Sequence, residues 1–363
     1  MSNVSDPERI TQNRVVKLLQ NPLSYEYLGN WQDRPNNRNI ETEYLRAWLQ
    51  FRSIADDLIN QAIYELDKLN ALDDGNNLYA PNEAIYNLLR YGIKLKSTHS
   101  THHQTLYLID WQNPEKNHFA FAEEVTLKGR ADKRPDLVFY INGIAIGVLE
   151  LKRASVGIEK GIRQNLDNQT LHFIRPFFTT IQLVMAGNDS QGLSYGTIET
   201  PEKYYLTWKE ENPDYNPKIH SKDQQYLPHY NCGKATSLLD CALLRLLDKQ
   251  RVLELIHDFT IFDKGIKKLC RHNQYFGVKA AQKRIRRREG GIIWHTQGSG
   301  KSLTMVWLAK WIRETQENSR VLIITDRTEL DEQIEGVFQG VKEQIYRCKS
   351  GRDLQSTMYQ ILV

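Results

Sequence analysis

Three charged side chains stand at the open end of an otherwise apolar stretch. From residue 134 to 153 the chain reads Arg-Pro-Asp-Leu-Val-Phe-Tyr-Ile-Asn-Gly-Ile-Ala-Ile-Gly-Val-Leu-Glu-Leu-Lys-Arg. Two apolar strands joined at Asn142-Gly143 form a strong hairpin signal. Asp136 enters the first strand, and Glu150 and Lys152 leave the second. Two carboxylates and an ammonium at the end of a buried hairpin are unfavourable without compensation. A divalent cation would supply it. Asp136 and Glu150 are hard oxygen donors suited to Mg²⁺, and the Leu151 carbonyl can add a third ligand. Lys152 can then orient an attacking water or stabilise charge on a phosphorane-like transition state. The plainer alternative is a hairpin with solvated charged ends.

The hairpin must also place these groups on one face. A two-residue Asn-Gly turn sets Ile141 opposite Ile144 and Asp136 opposite Leu149, which sends Asp136 and Glu150 to opposite faces. A three-residue loop, with Gly143 left-handed, pairs Tyr140 with Ile144 and gathers Asp136, Glu150 and Lys152 together. The expectation is therefore a type I turn with a glycine bulge. The simple turn would count against the metal site.

The pattern Pro135-Asp136, apolar hairpin, Glu150-Leu151-Lys152 resembles the PD-(D/E)xK nuclease core. Its wording, Arg-Pro-Asp through Asn-Gly-Ile to Glu-Leu-Lys, resembles the restriction (R, HsdR) subunit of type I restriction–modification enzymes. Related nucleases carry a carboxylate in an early helix, for which Glu8 is near the expected place. They also carry a Gln-x-x-x-Tyr pair after the Glu-x-Lys. Gln164 fits the glutamine as a catalytic-site residue, but Asn168 stands where the tyrosine would be. A plain surface glutamine remains the alternative.

A second group of residues points to nucleotide chemistry. Residues 290–302 read Gly-Gly-Ile-Ile-Trp-His-Thr-Gln-Gly-Ser-Gly-Lys-Ser, an apolar strand and a glycine loop before a helix. Backbone amides at such a loop cradle phosphates. Lys301 would reach the β- and γ-phosphates of ATP, and Ser302 would ligate Mg²⁺. The strict P-loop signature wants glycine where this chain has His295; the form Thr296-Gln297-Gly298-Ser299-Gly300-Lys301-Ser302 resembles motif I of superfamily 2 translocases. Upstream, Tyr275-Phe276 and Gln282 resemble an adenine-reading Q motif, since a glutamine amide can pair with adenine and an aromatic can stack on it. Arg320 to Thr325 reads as a buried parallel strand, and Asp326-Arg-Thr-Glu-Leu330 resembles motif Ia, which holds DNA phosphates. A helix cap by Asp326 or Thr328 is the structural alternative. The basic run of Lys279, Lys283, Arg284, Arg286, Arg287 and Arg288 can touch phosphates or form a solvated helix end.

Several elements must position these groups. Helical spacing is expected over Asp6–Gln20, Glu41–Leu69, Asn82–Tyr91 and Ser237–Leu255, and again after Lys152 with Ile158, Ile162 and Leu166 on one stripe. Thr105–Asp110 and Phe119–Leu127 read as strands feeding the sheet, Phe177–Ala186 as a central strand, and Tyr195–Tyr205 as another. Asn30–Asn39 reads as a loop, and Asn212–Tyr230 as an irregular excursion.

At 363 residues two domains are expected: a nuclease domain over 1–256 and the first part of a RecA-like ATP-binding domain over 257–363. The fold class is α/β, a PD-(D/E)xK nuclease-like mixed sheet flanked by helices, then a truncated P-loop parallel-sheet domain. Forty-eight Lys and Arg against 44 Asp and Glu leave a net charge of only +4, so any nucleic-acid footprint must be local. The four cysteines show no zinc spacing, and reduced thiols in a cytoplasmic protein are expected. No apolar run can span a bilayer.

The resemblance implies an ATP-dependent type I site-specific deoxyribonuclease acting on double-stranded DNA with methyltransferase (M) and specificity (S) subunits, in defence against foreign unmethylated DNA. No Walker B pair follows before Val363, so little ATPase is expected of these residues alone. The rivals are a repair helicase-nuclease acting at DNA ends and a catalytically silent DNA- and ATP-binding assembly module.

Overall fold

A computed structural model describes residues 7–70, 77–97, 102–210 and 237–360. The expected excursion at 212–230 lies outside the described residues. The chain divides into two compact units, one holding residues 1–260 and 265–272, the other 261–264 and 273–363.

The first unit is built on a seven-stranded mixed sheet. In chain order it contains α1 (Pro7–Gln20), β1 (Glu26–Asn30), α2 (Thr42–Phe51), α3 (Asp56–Asn70), α4 (Tyr79–Tyr91), β2 (Ile93–Lys96), β3 (His103–Leu106), β4 (Phe119–Glu123), β5 (Leu137–Ile141) and β6 (Ile144–Leu151). There follow α5 (Glu159–Asn168), β7 (Leu183–Asn188), β8 (Gly192–Gly196), β9 (Leu206–Thr207), α6 (Leu238–Leu246), α7 (Lys249–His257), β10 (Thr260–Asp263), of which only Thr260 belongs to this unit, and β11 (Ile266–Leu269). The sheet order is β1-β4-β5-β6-β7-β8-β9. β1 runs parallel to β4 and β6 parallel to β7; the other neighbours are antiparallel. Every residue of β4, β5, β6 and β7 is buried, as near-continuous apolar strands require when both faces are covered.

The hairpin turn differs from expectation. Ile141 pairs with Ile144 around a two-residue Asn142-Gly143 turn, with φ of 52° and 81°. Positive φ at both positions is the primed turn that matches strand twist. The extra residue lies in the strand instead. Tyr140 faces Ala145 while Phe139 faces Gly147, so Ile146 is a bulge. From there Leu137 pairs with Leu149, and the same register sets Asp136 opposite Glu150. The bulge does what the three-residue loop was expected to do.

Other elements also differ. Glu41–Leu69 is two helices, parted where Ser53 takes a φ of 59°. Ser237–Leu255 likewise breaks between Leu246 and Lys249. β3 pairs only with β2, in a separate two-stranded ribbon, and does not feed the main sheet. Leu183, not Phe177, opens β7, because Arg175–Thr179 forms a 3₁₀ turn. β1, a short and partly exposed edge strand, carries no strand signal in the sequence. Cys241 is disulfide-bonded, against the expectation of reduced thiols, while Cys270 and Cys348 are free.

The second unit carries α8 (His272–Arg286), α9 (Lys301–Thr315), α10 (Thr328–Gly340) and α11 (Gly351–Gln360). Val306, Ala309, Ile334 and Phe338 form its buried cluster, with Ile323 against it. The strands expected at 290–294 and 320–325 are absent: both segments lack ladder partners among the described residues. Ile292 and Trp294 are 92% and 91% exposed. A buried parallel strand needs neighbouring strands on both sides, and these segments have none among the described residues. No helix among the described residues is long and apolar enough to cross a membrane.

Candidate active site

Asp136 enters β5 and Glu150 lies near the end of β6, held opposite each other by the bulged register. The Leu151 N–H donates to Asp136 Oδ2 at 2.6 Å, tying the first carboxylate to the second strand. Glu150 is 0% exposed. Its Oε2 accepts from Gln164 Nε2 at 2.7 Å, and its Oε1 has no hydrogen-bond partner among the described residues. Lys152 Nζ donates to the Leu151 carbonyl at 2.8 Å and to Glu8 Oε1 at 3.3 Å. It stands 3.9 Å from Glu150 Oε2.

The electrostatics follow from burial. Desolvation pushes Asp136 up to about 6, against the pull of Lys152 and the Leu151 amide, with Glu124 and Glu8 adding repulsion. Glu150 is held well above the usual carboxylate range by burial first and by Asp136 second, despite Lys152. A protein that buries a carboxylate and leaves one oxygen unpaired lacks a compensating charge at that point. Two carboxylates and a carbonyl are a hard-oxygen donor set of the kind Mg²⁺ takes, so these residues fit the ion. No cluster of three or more His, Cys, Asp or Glu at metal-binding spacing occurs among the described residues.

The elements explain the placement. α5 packs on β6 and β7, where Gly161 lets it approach; a Cβ there would lie 3.1 Å from the Ala186 Cβ and 3.5 Å from that of Glu150. That approach turns Gln164 onto Glu150. Asn168, one turn on, is buried with neither amide atom partnered among the described residues. α1 brings Glu8 to Lys152 and Gln12 to both Glu123 and Glu124, at 3.3 and 3.1 Å. Glu123 is buried and also accepts from Arg9, Tyr27 and Asn30. Neither Glu123 nor Glu124 stands out in the sequence. Glu-Glu at the end of a strand carries no signature until pairing brings it beside Asp136.

At the second centre, Gly298 and Gly300 take φ of 77° and 83°, which a side chain would resist. Gly300 caps α9, and Ser299 N–H bonds back to the Thr296 carbonyl at 3.3 Å. Lys301 is exposed, its Nζ on the carbonyls of His295 and Thr296 at 3.3 and 3.2 Å. Ser302 is half-buried in the first turn of α9, and Gln297 is exposed. Gln274, which no sequence motif singles out, donates to the Gly300 carbonyl at 2.9 Å and pins the loop to α8. A Cβ on residue 300 would lie 2.4 Å from that amide. Phe276 is half-buried and meets Tyr275 edge-on at 5.2 Å. Gln282 is buried, with its Nε2 unpartnered among the described residues. Its amide does not face solvent.

Two family models and several curated proteins match the chain. Residues 6–203 match the family model described as type I restriction enzyme R protein N terminus. Residues 273–361 match the SWI2/SNF2 ATPase model. A protein of Methanocaldococcus jannaschii, provisionally named type I restriction enzyme MjaIXP endonuclease subunit, is 29% identical over 95% of this chain and 35% of its own length. The type I restriction enzyme HindI endonuclease subunit of Haemophilus influenzae is 25% identical over 100% of this chain and 35% of its own. The chain thus spans about a third of the length of these relatives. With more than half of its residues inside the first match, the chain belongs to the type I restriction enzyme R protein family.

Proposed function

We propose that this chain carries the endonuclease centre of a type I restriction enzyme, hydrolysing DNA phosphodiesters at a PD-(D/E)xK site. One observation carries the reading: a fully buried Glu150 whose Oε1 has no hydrogen-bond partner among the described residues, opposite Asp136 and within reach of Lys152. Asp136, Glu150 and the Leu151 carbonyl would hold Mg²⁺, which when bound supplies charge neutralisation and a more acidic water. Gln164 fixes the Glu150 carboxylate through its 2.7 Å bond. Lys152 positions the attacking water and offsets charge at the phosphate, while Glu8 holds the ammonium at the mouth of the site.

In the second unit, residues 296–302 form a P-loop that receives the phosphates of ATP. Lys301 reaches them after leaving the His295 and Thr296 carbonyls, and Ser302 adds a hydroxyl for Mg²⁺. In this reading the unit belongs to a RecA-like translocase lobe. In the full enzyme, ATP-driven translocation on double-stranded DNA and assembly with M and S subunits complete the activity.

The test is nicking of supercoiled plasmid. Mg²⁺-dependent nicking that falls by about 10²-fold or more in both Asp136→Ala and Lys152→Ala is expected, the scale for loss of a major electrostatic contributor. Equal nicking by either variant would sink the assignment. The covalently closed substrate also answers the repair-enzyme reading, since an enzyme acting at ends leaves it intact.

A further inference from the structure

Between β4 and β5 the chain leaves the sheet as a short arm, residues 128–134, reading Lys-Gly-Arg-Ala-Asp-Lys-Arg. Four basic side chains against one carboxylate give these seven residues a net charge of +3, in a chain whose whole formal charge is +4. The arm departs and returns beside the candidate centre. At its base the Glu124 N–H bonds to the Asp136 carbonyl at 2.9 Å, and the Val125 N–H to that of Pro135 at 3.2 Å.

The arm is held as a unit. Leu127 and Lys133 exchange both backbone bonds, at 2.8 and 3.1 Å. The Lys133 ammonium sits 3.8 Å above the Phe173 ring, a cation–π contact that anchors the stem. Gly129 lies so close to the 173–174 backbone that a Cβ would come within 2.4 Å of the Phe173 carbonyl oxygen. Beyond the stem, Lys128 is 80% exposed, paired only with Asp132 of the same arm, and Arg130 is exposed. Arg134 gives its Nε to Glu124 at 2.8 Å; its two outer nitrogens take no partner among the described residues.

A phosphodiester approaching this site meets the carboxylates of Glu8, Glu124 and Asp136, which repel it. Cations fixed at the mouth are what such a substrate requires. The run at 279–288 fits the task less well: Arg284 pairs with Glu289, and Arg286 lies over Trp311.

Resting on the nuclease reading, we propose that the 128–134 arm is the clamp on which the phosphate backbone of duplex DNA is seated beside Asp136 and Glu150. Lys128, Arg130 and the outer nitrogens of Arg134 contact phosphates without reading bases. Gly129 sets the height of the arm above the sheet.

The test is binding of a short labelled duplex in EDTA across a salt series, for the intact chain, Lys128→Glu/Arg130→Glu and Gly129→Ala. The charge-reversed pair is expected to weaken binding about tenfold or more and to lower the salt slope by about two, near one for each phosphate left without its cation. Gly129→Ala is expected to weaken binding with no change of charge. Unchanged affinity and slope in the charge variant overturns the proposal, as does an intact chain that binds no better than that variant. Thermal melts exclude unfolding, since Lys128 and Arg130 face solvent. The series contains neither metal nor hydrolysis, so its result stands apart from the nicking of Asp136→Ala.

Discussion

Asp136 shows how one side chain couples stability to the chemistry proposed for it. Burial raises its folded value to about 6, whereas an unfolded aspartate titrates near 4. The folded state therefore binds the proton more tightly. The stabilisation this gives is full below about pH 4 and is lost as pH rises through about 6. At pH 7.5 without metal, the ionised carboxylate weakens the fold by on the order of 2 kcal/mol. Asp136→Asn keeps an acceptor for the Leu151 amide and removes the charge. Its melting temperature in EDTA is expected to exceed that of the unaltered protein at pH 7.5, with the gap closing toward pH 4. A gap independent of pH would show that Asp136 is not desolvated. Asn168 offers a second test at this scale, since neither of its buried amide atoms is partnered among the described residues. Asn168→Leu is expected to stabilise the protein by about 1 kcal/mol, because a desolvated amide gives way to an apolar group of similar size; a lower melting temperature would contradict this.

The hairpin turn belongs to the scale of the element. Asn142 is fully buried, its amide donating to the Leu108 carbonyl and Asn117 Oδ1, both at 2.9 Å, and accepting the His118 N–H at 2.7 Å. Gly143 follows at a φ of 81°, where a Cβ would lie 2.7 Å from both the Glu41 carbonyl oxygen and the Leu45 nitrogen. Gly143→Ala therefore combines left-handed strain with a backbone clash, and a loss of about 2 kcal/mol or more is expected in chemical denaturation. A cost below a few tenths would mean that α2 can move away freely. Asn-Gly was legible as a turn because few residues tolerate two successive positive φ values. The Ile146 bulge was not. Nothing in Ile-Ala-Ile-Gly marks which residue goes unpaired, and the choice is made by how β4, β6 and β7 pack around the hairpin. The helix breaks at Ser53 and after Leu246 were hidden for a similar reason, because the apolar period continues across both.

At the scale of the whole molecule, β11 ties the end of the first unit to its core. Lys267 is buried, with its Nζ on Asn82 Oδ1 at 2.8 Å, the Ile181 carbonyl at 3.4 Å and Gln182 Oε1, and burial holds its amine well below the usual lysine range. A fragment of residues 1–272 is expected to melt cooperatively at the temperature of the first transition of the full chain. A fragment ending at residue 258 loses Lys267 and removes the donor from Asn82 Oδ1 and Gln182 Oε1, while the Ile181 carbonyl keeps the Asn82 amide at 2.9 Å; each acceptor that stays buried costs about 1–3 kcal/mol, and the fragment should melt several degrees lower. Equal melting of the two fragments would show that the β10–β11 hairpin is dispensable.

The sequence by itself determined the local chemistry: the order of the two proposed centres, the residue types of the proposed hard-oxygen site, the glycines of the proposed phosphate loop and most of the helices. Each of these rests on short-range rules of spacing and backbone freedom. Tertiary structure alone decided which groups meet. It brought Asp136 opposite Glu150 by a strand bulge, turned Gln164 onto Glu150 through a close helix approach at Gly161, and set Glu8, Glu123 and Glu124 around the site from remote positions. It also left 290–294 exposed and both 290–294 and 320–325 without ladder partners among the described residues, since apolar composition makes a strand only where neighbouring strands accept its backbone bonds.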